Sequence, residues 1–166
     1  MNYVKQGELG AVTASIGPRE NNPRNSEGTF LELPGGEIIF VYSRFRGDSS
    51  SDEAFADLSL IRSTDGGRTW GEDEIILTYQ GENGVNMMSP ALLMMQNGDV
   101  GLFYLVRLTY KRTQIFLRRS SDRGKTWGER VVCTPQEDFF VMNNDRVVRL
   151  ASGRIIVPVA SHRTGE

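Results

Sequence analysis

Two octets hold the residues whose types and spacing could do chemistry most plainly. Ser63-Thr64-Asp65-Gly66-Gly67-Arg68-Thr69-Trp70 and Ser120-Ser121-Asp122-Arg123-Gly124-Lys125-Thr126-Trp127 both read Ser-x-Asp-x-Gly-x-Thr-Trp. A carboxylate at this position could move protons, or it could accept hydrogen bonds from the backbone N–H groups just after it. The spacing points to the second use. Gly supplies the positive φ that closes a tight turn, the Ser and Thr hydroxyls tie its flanks, and Trp offers apolar surface to bury beneath it. Asp65 and Asp122 are therefore expected to hold turns. Polar groups of another kind collect in Pro23-Arg24-Asn25-Ser26-Glu27-Gly28, Asn86-Met87-Met88-Ser89-Pro90 and Met142-Asn143-Asn144-Asp145-Arg146. Their amides, hydroxyls and charges suit a polar ligand such as a sugar, and suit solvated loops as well. Cys133 and His162 are each alone, so no internal disulfide, cysteine-built zinc site or multi-histidine metal site can form. No metal or cofactor is expected.

The elements that position these groups are strands. Runs rich in β-formers fall at 28–33, 37–42, 57–62, 74–79, 89–95, 99–108, 114–119, 130–133, 145–150 and 154–159. Leu33-Pro34-Gly35-Gly36-Glu37, Met95-Gln96-Asn97-Gly98-Asp99 and Leu150-Ala151-Ser152-Gly153-Arg154 read as three hairpin turns. Each octet follows a short apolar run, and no stretch reads as a long amphipathic helix. Pro158 marks a bulge or an edge in the last strand. Met87, Met88, Met94 and Met95 and both Trp residues are expected to pack, and Arg118-Arg119 to be a solvated or strand-end pair. With 166 residues the chain can bury a real core. A net charge of −2 gives no field to gather nucleic acid or an anionic membrane, so an anionic small molecule would need a local arginine cluster. No apolar run approaches the roughly 20 residues of a membrane span. Met1-Asn2-Tyr3-Val4-Lys5 leads into polar sequence without the apolar core of a secretory signal, which favours the cytoplasm.

The octet resembles the Asp-box of sialidases and related β-propellers, where it joins the third and fourth strands of a blade. Its two copies start 57 residues apart, slightly above the roughly 40–50-residue periods of other propeller repeats. The resemblance implies an all-β fold, a sialidase-like six-bladed β-propeller. Residues 1–22 would be a lead-in and 23–166 a partial propeller, with blade one at about 23–80, blade two at about 86–134 and the start of blade three at about 140–166. Two and a half four-stranded blades do not close a ring, and an open arc leaves strand edges exposed. The remaining blades are expected from a longer chain of which this is the N-terminal part, or from self-association.

The same resemblance implies a site. In a propeller the innermost strands start at the rim of the central funnel, which places the three polar segments against a ligand. Arg24 would match the arginine that pairs with the sialic acid carboxylate. Arg44, with Arg46 as its alternative, would match the arginine near the acetylated part of the sugar. Asp52 would match the general acid/base, with Asp48 as its competitor and Asp57 structural. Asn86, Ser89, Asn144 and Arg146 would line the funnel and bind substrate. The sequence differs from the family in having Pro23-Arg24-Asn25-Ser26 where sialidases have Phe-Arg-Ile-Pro, and Ser89 where an Asp often precedes Pro. The family's Tyr nucleophile, its Glu partner and two further arginines belong to later blades. The implied function is an exo-glycosidase acting on a terminal sialic acid or related acidic sugar of a glycan. The alternative is a carbohydrate-binding propeller without catalysis.

Overall fold

The β-rich runs form strands in a computed structural model that describes residues 10–135 and 138–162. Twelve strands and no helix are found among the described residues: β1 (Asn25–Glu32), β2 (Ile38–Phe45), β3 (Ala56–Ser63), β4 (Glu74–Leu77), β5 (Asn86–Met94), β6 (Val100–Thr109), β7 (Arg112–Ser120), β8 (Val131–Val132), β9 (Phe139–Val141), β10 (Val148–Arg149), β11 (Ile155–Ile156) and β12 (Ala160–His162). None of the described residues therefore forms a helix long and apolar enough to cross a membrane.

β1–β4 and β5–β8 are two antiparallel four-stranded meanders, joined by a single parallel bridge between Ala56 and Asn86. Leu33, Met95 and Leu150 donate their N–H groups to the carbonyls of Glu37, Asp99 and Arg154 at 2.7, 2.8 and 2.8 Å, closing the three hairpins that the sequence repeats. The octets join β3 to β4 and β7 to β8. A third unit begins with the hairpin β10–β11 and with β12 paired to β9. The run expected at 154–159 splits at Pro158, whose missing N–H interrupts the ladder between β11 and β12. β9 and β12 are too short to have registered as periodic runs.

Side-chain alternation explains why the middle unit is so apolar. Leu102, Tyr104 and Val106 point one way from β6, onto Ile39, Val41, Leu58 and Leu60 of the first unit. Phe103 and Leu105 point the other way, with Ile115 and Leu117, onto Phe140, Met142 and Val147. Both faces of the second unit are thus covered, and each fully buried Leu or Phe contributes roughly 1.5–3 kcal/mol. The outward face of the first unit differs. Phe30, Phe40, Tyr42, Ile61 and Trp70 share a hollow with the strap formed by residues 11–16, and Phe30 stays 58% exposed. Gly28 is required beneath it, because a Cβ there would stand 2.1 Å from the Phe40 ring.

Candidate functional site

The three polar segments meet at one end of the sheets, tied in chain order. Arg24, just before β1, sends Nη1 to Asp52 Oδ1 at 2.5 Å and to the Ser50 carbonyl at 3.0 Å, and Nη2 to Ser26 Oγ at 3.0 Å. Its guanidinium lies over the Phe45 ring at 4.5 Å. Asn86, opening β5, donates to the carbonyls of Asp52 and Ala54 at 2.7 and 3.2 Å, so the second unit pins the loop that carries Asp52. Ser89 donates its N–H to Glu27 Oε2 at 2.7 Å. Asn144 donates to the Gly28 carbonyl at 3.0 Å, while Asp145 accepts from Thr29 Oγ1 at 2.7 Å and gives its N–H to the Pro90 carbonyl at 3.1 Å. Glu27, Ser89 and Asp145 all have left-handed backbones, with φ of 47°, 53° and 56°. Such conformations cost about 1–3 kcal/mol each in a non-glycine residue and hold only where neighbours over-determine them. The cross-links just described do that.

Three of the candidate groups therefore come together directly: Arg24, Asp52 and Asn86. Ser89 and Asn144 join them through Glu27 and Gly28. Arg146 is exposed and borders a separate hollow of about 330 Å³ with Val141 and Pro158. Arg44 turns to the opposite side of β2 from Phe45, where its Nη1 pairs with Asp73. Asp73 also accepts from Arg19 at 2.7 Å and from the Tyr42 hydroxyl at 3.1 Å. Burial pushes the Asp73 carboxyl up, but the Arg19 hydrogen bond, the Arg44 charge and the Tyr42 hydroxyl outweigh it and hold it below its ordinary value. Tyr42 is pushed up to about 12 by burial and by the Asp73 charge. Arg46 pairs with Asp57 at 3.2 Å. Asp57 is buried, accepts the Tyr79 N–H at 3.0 Å, and burial raises its carboxyl despite that bond and Arg46, as suits a structural residue.

Two residues at this end were not read from the sequence. Glu27 looks like one more polar residue in its segment; only the bulge between Ser26 and Gly28 turns it towards Ser89. Arg107 sits opposite Asn86, 3.9 Å from Glu53, with its guanidinium 5.9 Å from the Phe139 ring. Its one available signal was a cation near the end of the apolar run 100–106.

The octets are turns. In the first, Asp65 Oδ1 accepts the amides of Arg68 and Thr69 at 3.0 and 2.9 Å, and Oδ2 accepts the Thr69 hydroxyl at 2.7 Å. The Thr69 amide, the Thr69 hydroxyl and the Ser63 hydroxyl hold the Asp65 carboxyl down at about 2. Asp122 accepts the equivalent bonds from Lys125 and Thr126, and is held low by the Thr126 hydroxyl, then the Thr126 amide, then Ser120. Carboxylates so fixed have no proton to give near neutral pH. Arg118 lies near the end of β7, the second of the two readings its sequence allowed, and is not solvated: it donates to Glu82 at 3.0 and 2.7 Å and to Tyr104 at 3.1 Å.

Two hollows, of about 450 and 700 Å³, lie on the outward face of the first unit beside the strap, away from Arg24 and Asp52. The corresponding face of the second unit is covered by the first, so these hollows mark the face left open at this end of the described sheets.

Comparison with known proteins agrees with this architecture. The family model of the BNR repeat-like domain matches residues 31–166. No curated protein sequence matches significantly. Among solved structures, a Hadza microbial sialidase superposes with a TM-score of 0.70 at 21% identity, over 85% of this chain and 33% of its own. The leech intramolecular trans-sialidase gives 0.70 at 13% identity, over 93% and 42%. The intramolecular trans-sialidase of Ruminococcus gnavus gives 0.68 at 14%, over 85% and 56%. The chain thus spans from a third to just over half of these proteins, and at such identities they share its fold: β-propeller-like, with sheets that do not close on themselves. On the match across 31–166, the chain belongs to the BNR repeat-like domain family.

Proposed function

We propose that the whole protein is a sialidase-type exo-glycosidase that removes a terminal sialic acid or related acidic sugar from a glycan. Its fold would be a six-bladed β-propeller, of which this chain supplies about two and a half blades, with boundaries near 80, 86, 134 and 140. The supporting observation is the contact of Arg24 with Asp52 at 2.5 Å, on a loop pinned by Asn86. A planar guanidinium is suited to a sugar carboxylate, which can accept two parallel N–H bonds from it. When the substrate carboxylate takes over Arg24, Asp52 is released from its cation. It can then take up a proton from solvent, give it to the glycosidic oxygen of the leaving group, and afterwards take a proton from the attacking water.

Ser89 and Asn144 would bind the hydroxyls and acyl groups around the ring, Asn86 would serve the site by holding the Asp52 loop, and Arg146 would reach the sugar only by leaving its own hollow. Arg44 would reach the sugar only by parting from Asp73, so in the state described it steadies β2. The nucleophilic Tyr, one of the exceptions to the two-carboxylate scheme, its Glu partner and two further arginines belong to the remaining blades under this reading.

The second reading, a carbohydrate-binding propeller without catalysis, is favoured by the fact that Arg24 and Asp52 already satisfy one another. A panel of aryl glycosides separates the two. The full-length protein is expected to release the aryl group from sialosides or another acidic glycoside. Binding of the same sugars with no release from any of them would establish the non-catalytic reading instead.

A further inference from the structure

Arg62 joins the first two units by a device that the sequence repeats. It stands immediately before the first octet, and donates Nη1 to the Arg123 carbonyl at 2.9 Å and Nη2 to the Gly124 carbonyl at 2.8 Å. Those carbonyls form the apex of the second octet turn. In return, Arg123 pairs with Glu37 at 2.7 Å and donates to the Pro34 carbonyl at 3.1 Å, both in the first hairpin. A latch thus runs from the third strand and hairpin of one unit to the octet of the next.

The giving side of this latch is present again in the second unit. Arg119 stands immediately before the second octet and lies opposite Gly101, as Arg62 lies opposite Ile39. The Arg119 carbonyl accepts the Gly128 N–H at 2.8 Å, as that of Arg62 accepts the Gly71 N–H at 2.9 Å. Asp99 holds the place of Glu37, since Met95 bonds its carbonyl as Leu33 bonds that of Glu37. Yet the Arg62 side chain is mostly covered, whereas Arg119 is exposed and, among the described residues, unpaired.

The third unit is already seated where an octet would be presented. Phe140, Met142 and Val147 cover the second unit's outward face, and the third hairpin faces Gln96 across a hollow of about 280 Å³. The octets begin 26 and 21 residues after Glu37 and Asp99, so a third, counted the same way from Arg154, falls beyond Glu166.

We infer that Arg119 and Asp99 are the latch for the octet turn of a third repeat, continuous with the sheet that β9–β12 begin. Arg119 donates to two neighbouring backbone carbonyls at the apex of that turn, and Asp99 accepts from a basic residue beside them. A guanidinium suits this because its N–H groups form a rigid fork that spans adjacent acceptors. The inference holds for an enzyme or for a lectin-like propeller, and so is independent of the function proposed above.

The test is thermal unfolding of the full-length protein carrying Arg62→Ala, Arg119→Ala or, as an exposed control, Lys125→Ala, at low and high protein concentration. Arg119→Ala is expected to lower Tm by as much as Arg62→Ala, equally at both concentrations, while Lys125→Ala leaves it unchanged. An Arg119→Ala protein that melts with the control overturns the inference. So does a loss seen only at high concentration, which would make a second copy the occupant. If Arg119→Ala does not accumulate folded, Arg119→Lys takes its place; it keeps the charge without the fork, and an unchanged Tm would equally overturn the inference.

Discussion

The turns at 63–70 and 120–127 make the same six internal hydrogen bonds: the Ser hydroxyl donates to the Asp carboxylate and accepts the Asp and Gly amides, and the carboxylate accepts the next two amides and the Thr hydroxyl. Their surroundings have little in common. Trp127 packs into the core between the two units, and Arg62 holds the backbone of its turn from the neighbouring sheet. Trp70 instead reaches Thr13 of the strap at 3.2 Å and lies 5.9 Å from Phe30. The carboxylate networks beside the two turns differ in the same sense. Glu82 is almost wholly buried between Arg118, Arg130 and Tyr104, whereas Asp73 shares Arg44 and Tyr42 with the half-exposed Arg19. The turn is local chemistry. What it contributes to stability depends on the sheet it leans against.

The largest expected effect is at the buried network. Glu82→Ala leaves Arg118 and Arg130 without their carboxylate and should destabilise the protein by about 3–5 kcal/mol. Asp73→Ala, with one of its arginines partly in water, should cost less by denaturant unfolding. Next come the two indoles: Trp127→Ala is expected to lose about 3 kcal/mol, and Trp70→Ala clearly less, because its cover is a strap rather than a sheet. Equal losses would erase the distinction between the two surroundings. Gly67→Ala and Gly124→Ala should agree with one another at about 1 kcal/mol, since both residues are left-handed, with φ of 82° and 79°. A large difference there would show that packing governs even the turn.

The smallest effect is electrostatic. Asp65 is held down at about 2 and Asp122 is held low as well. A carboxyl whose folded value is depressed contributes stability that is present above its unfolded value and is lost as pH falls through the folded one. The acid limb of the stability curve should therefore lie between about pH 4 and pH 2. Asp65→Asn together with Asp122→Asn should flatten it, as measured by Tm against pH.

This contrast also separates what the sequence discloses from what it does not. The octets and the hairpins at 33–37, 95–99 and 150–154 are legible because every interaction that makes them lies within four residues. β6 is legible as a strand from its apolar run, but both of its faces being covered depends on neighbours far away in the chain. Arg118 reads as a solvated or strand-end cation until Glu82, 36 residues earlier, is folded against it. Arg24 and Asp52 were paired in expectation through resemblance to a family, and their approach across 28 residues is a tertiary fact that no local pattern encodes. Arg44 shows the reverse case: order along the chain brought it towards the site, and strand alternation turned it to the other face.

The measurement that bears most directly on the proposed site compares Asp52→Ala and Arg24→Ala in the full-length protein with an aryl sialoside as substrate and the free sugar as ligand. Asp52→Ala should lose on the order of 10²–10⁴ in kcat while keeping its affinity for the sugar. Arg24→Ala should lose affinity for the sugar's carboxylate. Hydrolysis by Asp52→Ala at the unaltered rate would contradict the account.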